Sequence, residues 1–274
     1  MICSDLSLSR RLERAEGYAC VQFVAARRNL YPASGADWME CAGAFVAFDG
    51  IDSPITQTFS LGLLEDATPS TLDTLEKFFF DRGADVFHEV SPYAGVALFE
   101  LLCSRGYRPI ELTNVLYQPL PRSAELAAAR LNNAVTVRAI TPEEASLWTS
   151  ISARGWSHEH PELHQFLLDV GVISANREGS TCFIAEVNGT PGAAGALCIH
   201  QGVALLAGAA TVPELRRLGL QSALLQYRLQ YAHDHGCDVA MIGTAPGSGS
   251  QRNAEREGFR IAYTRTKWRL ARPA

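Results

Sequence analysis

Long apolar runs, a basic surplus and paired cysteine motifs are all missing from this 274-residue chain. No apolar stretch approaches the roughly 20 residues that a membrane-spanning helix needs, so no membrane partner is expected. Lys and Arg number 24 against 29 Asp and Glu, and the net charge of −5 argues against a general nucleic-acid or anionic-membrane surface. A local basic site for one phosphate ligand stays open. Seven cysteines, at 3, 20, 41, 103, 182, 198 and 237, make an odd number without a Cys-x-x-Cys. That speaks against a disulfide framework or a zinc knuckle and for reduced, mostly buried thiols. The start, Met1 to Leu6, has no basic leader followed by an apolar run, so a cytoplasmic location is expected.

An ordinary globular composition remains, 47% apolar and 19% charged, long enough for two modest domains. Residues 118–133, from Gln118-Pro-Leu-Pro121 through an alanine-rich stretch, read as a connector, and either side of it repeats one plan. In the first half a helical pattern over 71–82 ends at Gly83, a strand covers 84–90, a helix runs from about 93 to 105, and Gly106-Tyr107 leads into strands up to Leu120. The second half has a helix over 217–235, Gly236, a strand at 237–242, a helix over 248–257, then Gly258-Phe259 and strands to Leu270. The glycines that stop the helices are 23 residues apart in one half and 22 in the other, each first glycine opening a Gly-x-Asp-Val. Such self-similarity points to duplication, with domains at 1–120 and 135–274 and a linker at 121–134. A long helix is expected from Leu6 to about Leu30, strands at 42–48, 55–61 and 59–64, and further strands at 182–187, 193–200 and 203–211. Hairpins are expected at Asp49-Gly50 and Asn188-Gly189. Helical patterns at 142–154 and 161–170 precede the second set.

One segment carries more chemistry than the rest. The apolar strand ending Ala209-Ala-Thr211 runs into Val212-Pro213, then Arg216-x-x-Gly219-x-Gln221, then a long amphipathic helix. This order aims consecutive backbone N–H groups at one point, at the positive end of a helix, where a pyrophosphate can sit. The dipole adds only about 0.3–1 kcal/mol, so the N–H donors and a nearby arginine supply most of the grip.

The spacing resembles the acyl-CoA signature of the GNAT N-acetyltransferases, Q/R-x-x-G-x-G/A. The element order over about residues 135–271, with Gly258-Phe259 closing the last helix, is similar to theirs as well. The implied fold is α/β: two tandem GNAT-like domains, each a mixed, mainly antiparallel sheet flanked by helices. The resemblance implies acetyl-CoA as co-substrate, held by Thr211, Val212, Arg216, Arg217, Leu218, Gly219, Leu220, Gln221 and Ser222, with Gln221 standing where the family prefers Gly or Ala. It also implies acetyl transfer to an amine by direct attack, the amine belonging to an unidentified small molecule or peptide. The first half reads as a degenerate copy: its loop, Glu65-Asp-Ala-Thr-Pro-Ser70, lacks the arginine and the motif glycine and offers two carboxylates that would repel a pyrophosphate. One acyl-CoA per chain is therefore expected; a homodimer stays open.

The catalytic groups are less marked. Family members often carry a carboxylate on the strand before the loop, and residues 203–211 have none; Glu186, on a neighbouring strand, is a substitute base. Where the family often places a tyrosine as acid to the departing thiolate, this chain has Ala254, leaving Ser250, Asn253 and Tyr263 as candidate donors. Trp156 and His158, in the loop between the first two helices of the second half, are candidates to line the acceptor cleft. His158, His160 and His164 do not have recognised ligand spacing, and no metal is expected. Missing the strand carboxylate and the tyrosine, the chain also fits an acyl-CoA-binding sensor or structural protein without catalysis.

Overall fold

A computed structural model describes residues 4–120, 134–157 and 161–273. The connector expected at 121–134 falls almost wholly outside them. The chain divides into two compact units, one made of residues 1–118 and 241–274, the other of residues 119–240.

The first unit opens with α1 (Leu6–Leu30), whose start is capped by the Asp5 carboxylate accepting from Leu8 N. There follow β1 (Asp37–Cys41), β2 (Ala44–Phe48), β3 (Gln57–Phe59), α2 (Pro69–Phe80), β4 (Val86–Val90), α3 (Val96–Ser104) and β5 (Arg108–Pro119). The chain returns to this unit within β10 (Val239–Thr244) and adds α7 (Gly249–Arg256) and β11 (Arg260–Leu270). The strand order is β1-β2-β3-β4-β11-β5-β10. The pairs β1–β2, β2–β3, β4–β11 and β11–β5 are antiparallel, whereas β3 and β4 run parallel and meet at Thr58↔His88. The last strand of the chain thus fills the place between β4 and β5.

Each sheet face of this unit has its own cover. Leu72, Leu75 and Phe79 of α2 and Leu98 and Leu102 of α3 bury one face with Val46, Val86, Val90 and Trp268. Val21 and Val24 of α1 cover the other with Phe45, Ala47 and Phe59. A side chain of this size contributes about 1.5–3 kcal/mol when fully buried, so the two layers hold the sheet from both sides. At Gly17 a Cβ would lie 2.8 Å from Phe45 Cδ2 and 2.9 Å from Phe59 Cβ, which is why glycine sits in the middle of α1.

The second unit holds β6 (Val135–Ala139), α4 (Ala145–Trp156), α5 (His164–Ala175), β7 (Ser180–Val187), β8 (Thr190–His200), β9 (Val203–Thr211) and α6 (Leu220–Asp234). Its strands form an antiparallel series β9-β8-β7-β6. Trp148 and Ile151 of α4 pack on Cys182, Ile184, Ala194 and Ala196.

Several local expectations change. The tight hairpin of the first unit lies at Ala42-Gly43, both with positive φ, and joins β2 to β1, a strand that sequence reading passed over. Asp49-Gly50 instead opens a longer loop, where Asp49 is held by Arg27, Ser53 and the Thr56 hydroxyl. The strand expected at 59–64 ends at Phe59, because Ser60 and Gly62 take left-handed conformations. The strands after each final helix are single long ones. At Asn188-Gly189 the expected hairpin is present, joining β7 and β8. Among the described residues no helix is long and apolar enough to cross a membrane, and six cysteines are free thiols.

Candidate functional site

The turn from β9 into α6 is built residue by residue. Val212 is buried with Trp148 and Ile151, and its N–H donates to Gly192 O at 2.9 Å while its carbonyl accepts from Leu215 N. It therefore serves the turn and the core, and its N–H is not available to a ligand. Gly192 makes the close packing feasible: a Cβ there would lie 2.5 Å from Leu215 Cδ1 and 2.9 Å from Leu220 Cδ1. Pro213–Leu215 form a short 3-10 turn, Arg217 and Gly219 take positive φ of 64° and 88°, and Gly219 becomes the N-cap of α6.

Arg216 ties three segments together. Its Nε donates to Thr211 O and its Nη2 to Gly155 O on α4, both at 3.3 Å. A Cβ on Gly155 would clash at 2.7 Å with Ala210 Cβ and lie 3.1 Å from Thr211 N, so α4 reaches the end of β9 only because that residue is glycine. The Thr211 hydroxyl donates to Gln221 Oε1 at 3.3 Å, which gives this glutamine a role that Gly or Ala could not fill.

The start of α6 is open to an anion. Gly219 has no side chain to cap it, the first turn has no acidic residue, and the first intrahelical bond runs from Ala223 N to Gly219 O at 3.0 Å. By helix geometry the N–H groups of Leu220, Gln221 and Ser222 precede any i−4 acceptor and point out along the axis. Arg216, Arg217 and Leu218 are exposed around them. The corresponding helix of the first unit is closed: Thr68 and Thr71 form a reciprocal capping box at the start of α2, with Glu65 and Asp66 exposed just before it.

The other expected residues are dispersed. Glu186 stands on β7, two strands from β9, and accepts from Arg138 Nη2 at 3.0 Å. Arg138 also forks onto Glu144, holding that carboxyl down to about 2. Glu186 is thus part of a three-residue ion network beside the edge strand β6. Ser250 and Asn253 are exposed on α7, and Ala254 is buried. Tyr263 is not a free donor: it is buried in the first unit and donates to Glu13 Oε1 at 2.9 Å. Trp156, the last residue of α4, is exposed; His158 and His160 lie outside the described residues. His164 Nδ1 is 3.0 Å from Ser157 Oγ. Among the described residues no group of three His, Cys, Asp or Glu could hold a metal ion.

Sequence reading missed two features. The ladder between β8 and β9 slips, with Ala194↔Ala210 followed by Ala196↔Ala207, so β9 spends three residues where β8 spends two. Gly208, at φ +62°, occupies this bulge; an isolated glycine within a strand pattern is its signal. Beneath it Arg228 of α6 is completely buried, and burial pushes its guanidinium down to about 10. Its signal is the spacing Leu220, Leu224, Arg228, Ala232, which puts an arginine on the apolar stripe of the helix.

Residues 142–259 match the acetyltransferase (GNAT) family. No curated protein matches the chain. Among solved structures, a GCN5-related N-acetyltransferase from Kribbella flavida is similar over 95% of both chains, at 18% identity and a TM-score of 0.68. A tandem GNAT protein from the clavulanic acid biosynthesis pathway aligns with 100% of this chain and 98% of its own, at 12% identity and a TM-score of 0.60. A GCN5-related N-acetyltransferase from Sphaerobacter thermophilus aligns over 95% of this chain and 94% of its own, at 16% identity and a TM-score of 0.54. At these identities the likeness is one of fold, and it extends over both halves of the repeat. This chain thus has the tandem GNAT fold, and over residues 142–259 its sequence matches the acetyltransferase (GNAT) family.

Proposed function

We propose that the chain is an acyl-CoA-dependent N-acyltransferase that moves an acetyl group from acetyl-CoA to an amine of a small molecule or peptide. The observation that carries this reading is the uncapped start of α6. Gly219, the N–H groups of Leu220 to Ser222 and the cations Arg216 and Arg217 form a pyrophosphate cradle, on a segment that matches the GNAT family. Thr211, at the strand end that Arg216 holds in place, presents backbone to the pantetheine arm. By function the chain divides into a degenerate copy at 1–120, a linker at 121–134 and the acetyl-CoA domain at 135–274. The capping box of α2 and the carboxylates of Glu65 and Asp66 argue for a single acyl-CoA, bound by the C-terminal copy.

In the reaction the amine nitrogen bonds to the thioester carbon, the C–S bond breaks, and the CoA thiolate leaves and takes up a proton. A lysine-like amine with a pKa of about 10.4 must first lose its own proton. Glu186 is engaged by Arg138, so a water path to solvent is the better acceptor for that proton. A thiol of pKa near 8.5 leaves without a dedicated acid, which fits the buried Ala254 in place of a tyrosine.

That same alanine, with the carboxylate-free β9, favours a second reading, an acyl-CoA-binding sensor without turnover. Thiol release from acetyl-CoA across a panel of primary amines separates the two. Amine-dependent release, abolished in Gly219→Asp, is the expected result. Saturable acetyl-CoA binding with no release for any amine would establish the sensor instead.

A further inference from the structure

One face of the first unit's sheet carries a row of cations. β11 reads Arg265-Thr-Lys-Trp-Arg269, so residues 265, 267 and 269 share a face, beside Glu89 and Phe87 of β4. Arg265 is taken up by Glu13 and Glu16 of α1 and by Glu89. Beyond it the strand borders a cavity of about 570 Å³, within the range that small-molecule sites occupy. Ile51 and Pro54 of the loop between β2 and β3, Phe87 of β4 and Ile110 of β5 give it apolar walls. Ile110 is placed there by a bulge: Lys267↔Glu111 is followed by Trp268↔Pro109, so β5 spends one residue more than β11.

The cations on the cavity are Lys267, Arg269 and Arg272, and its carboxylates are Asp52 and Asp85. Arg269 Nε donates to Asp85 at 2.8 Å, and Arg272 gives its main-chain N–H to Asp85 and a guanidinium N–H to Gly83 O. Lys267 is different. Its side chain is only 13% exposed, and its Nζ stands 3.8 Å from Glu89 Oε1, outside hydrogen-bond reach, and 5.6 Å from the centre of the Phe87 ring. Among the described residues this ammonium makes no hydrogen bond, although it carries three donors. A cation so far withdrawn from water needs an acceptor, and the cavity is the side from which one can come. Three cations against two carboxylates leave a single positive charge, which suits one carboxylate and not a pyrophosphate.

We infer that this cavity is a second small-molecule site, built for an organic monocarboxylate with an apolar body. The carboxylate takes the N–H donors of Lys267, with Arg272 beside it, and the ring or branched chain lies against Phe87, Ile110 and Ile51. The site lies wholly within the first unit and does not depend on the acyl-CoA reading.

The test is calorimetric titration of the full chain with naphthylacetate, run beside its neutral amide naphthylacetamide, acetate and inorganic phosphate. Naphthylacetate is expected to bind at one site. The amide lacks the charge and acetate lacks the body, and each is expected to bind about tenfold more weakly or worse. Lys267→Gln should weaken naphthylacetate to a similar degree and leave the amide unchanged. Should that variant fail to fold, Ile110→Glu decides, because it puts a carboxylate on a half-exposed wall and is expected to abolish binding. The inference is overturned if naphthylacetate does not bind, if the amide or phosphate binds as well as it does, or if its affinity survives Lys267→Gln or Ile110→Glu. Displacement of naphthylacetate by acetyl-CoA would put it at the start of α6 and overturn the inference too.

Discussion

Glu13 is wholly buried in the first unit, with Oε1 on the Tyr263 hydroxyl and 3.4 Å from Arg265 Nη1. Arg265 is shared with Glu16 and Glu89, and Lys267 approaches Glu89 at 3.8 Å, so three carboxylates meet two cations. Burial raises the Glu13 carboxyl from 4.5 to about 7, against the opposing pull of Arg265. Between those values the folded chain holds a proton that the unfolded chain releases. Stability therefore falls as pH rises from about 4.5 to about 7 and is level above, by about 3 kcal/mol for this group. Glu13→Gln is expected to remove that loss, giving its largest stabilisation in urea melts at pH 8 and little at pH 4.5. Equal effects at both pH values would contradict the protonated assignment. At this scale the sequence is a partial guide. Gly219 and Arg216 are legible because their spacing is tied to a turn, whereas the inward placement of Glu13 and Arg228 depends on which side of a helix its tertiary partners bury.

At the scale of elements, the start of α6 depends on β8 giving way at Gly192. Gly192→Val would drive branched carbons into Leu215 and Leu220. The expected cost is about 1–3 kcal/mol of stability from overpacking. Acetyl-CoA affinity should fall with it, as the turn carrying Arg216 and Gly219 shifts, and a variant that binds as tightly as the wild type would detach the cradle from this packing. Elements with strong local signals were legible: the 25-residue α1, the hairpin at Asn188-Gly189, and the helices that stop at Gly83 and Gly236. β1 was not, since Asp37–Cys41 is a half-exposed edge strand without clean alternation. Nor was the extent of β3, because the left-handed Ser60 that ends it is a residue whose sequence does not announce that conformation.

For the whole molecule, the repeat visible in the sequence and the compact units of the structure are different divisions. The repeat is read from helices, glycines and local strands, and these recur in both halves. Strand order is set by long-range pairing, and it places β11, from the end of the chain, between β4 and β5 near its middle. Trp268 of β11 also belongs to the core under α2 and α3. A fragment of residues 1–120 would leave the ladder edges of β4 and β5 without that strand and expose this core. It is expected to lack cooperative thermal unfolding by circular dichroism, and a sharp transition matching that of the intact chain would contradict the strand's importance.

The central claim is that one acyl-CoA binds each chain, at the uncapped start of α6, while the capped α2 binds none. Calorimetric titration of the intact chain with acetyl-CoA, run beside Gly219→Asp, tests it most directly. The account predicts a stoichiometry of one and its loss in the variant, where a carboxylate would face the pyrophosphate. A stoichiometry of two, or an affinity untouched by Gly219→Asp, would contradict it.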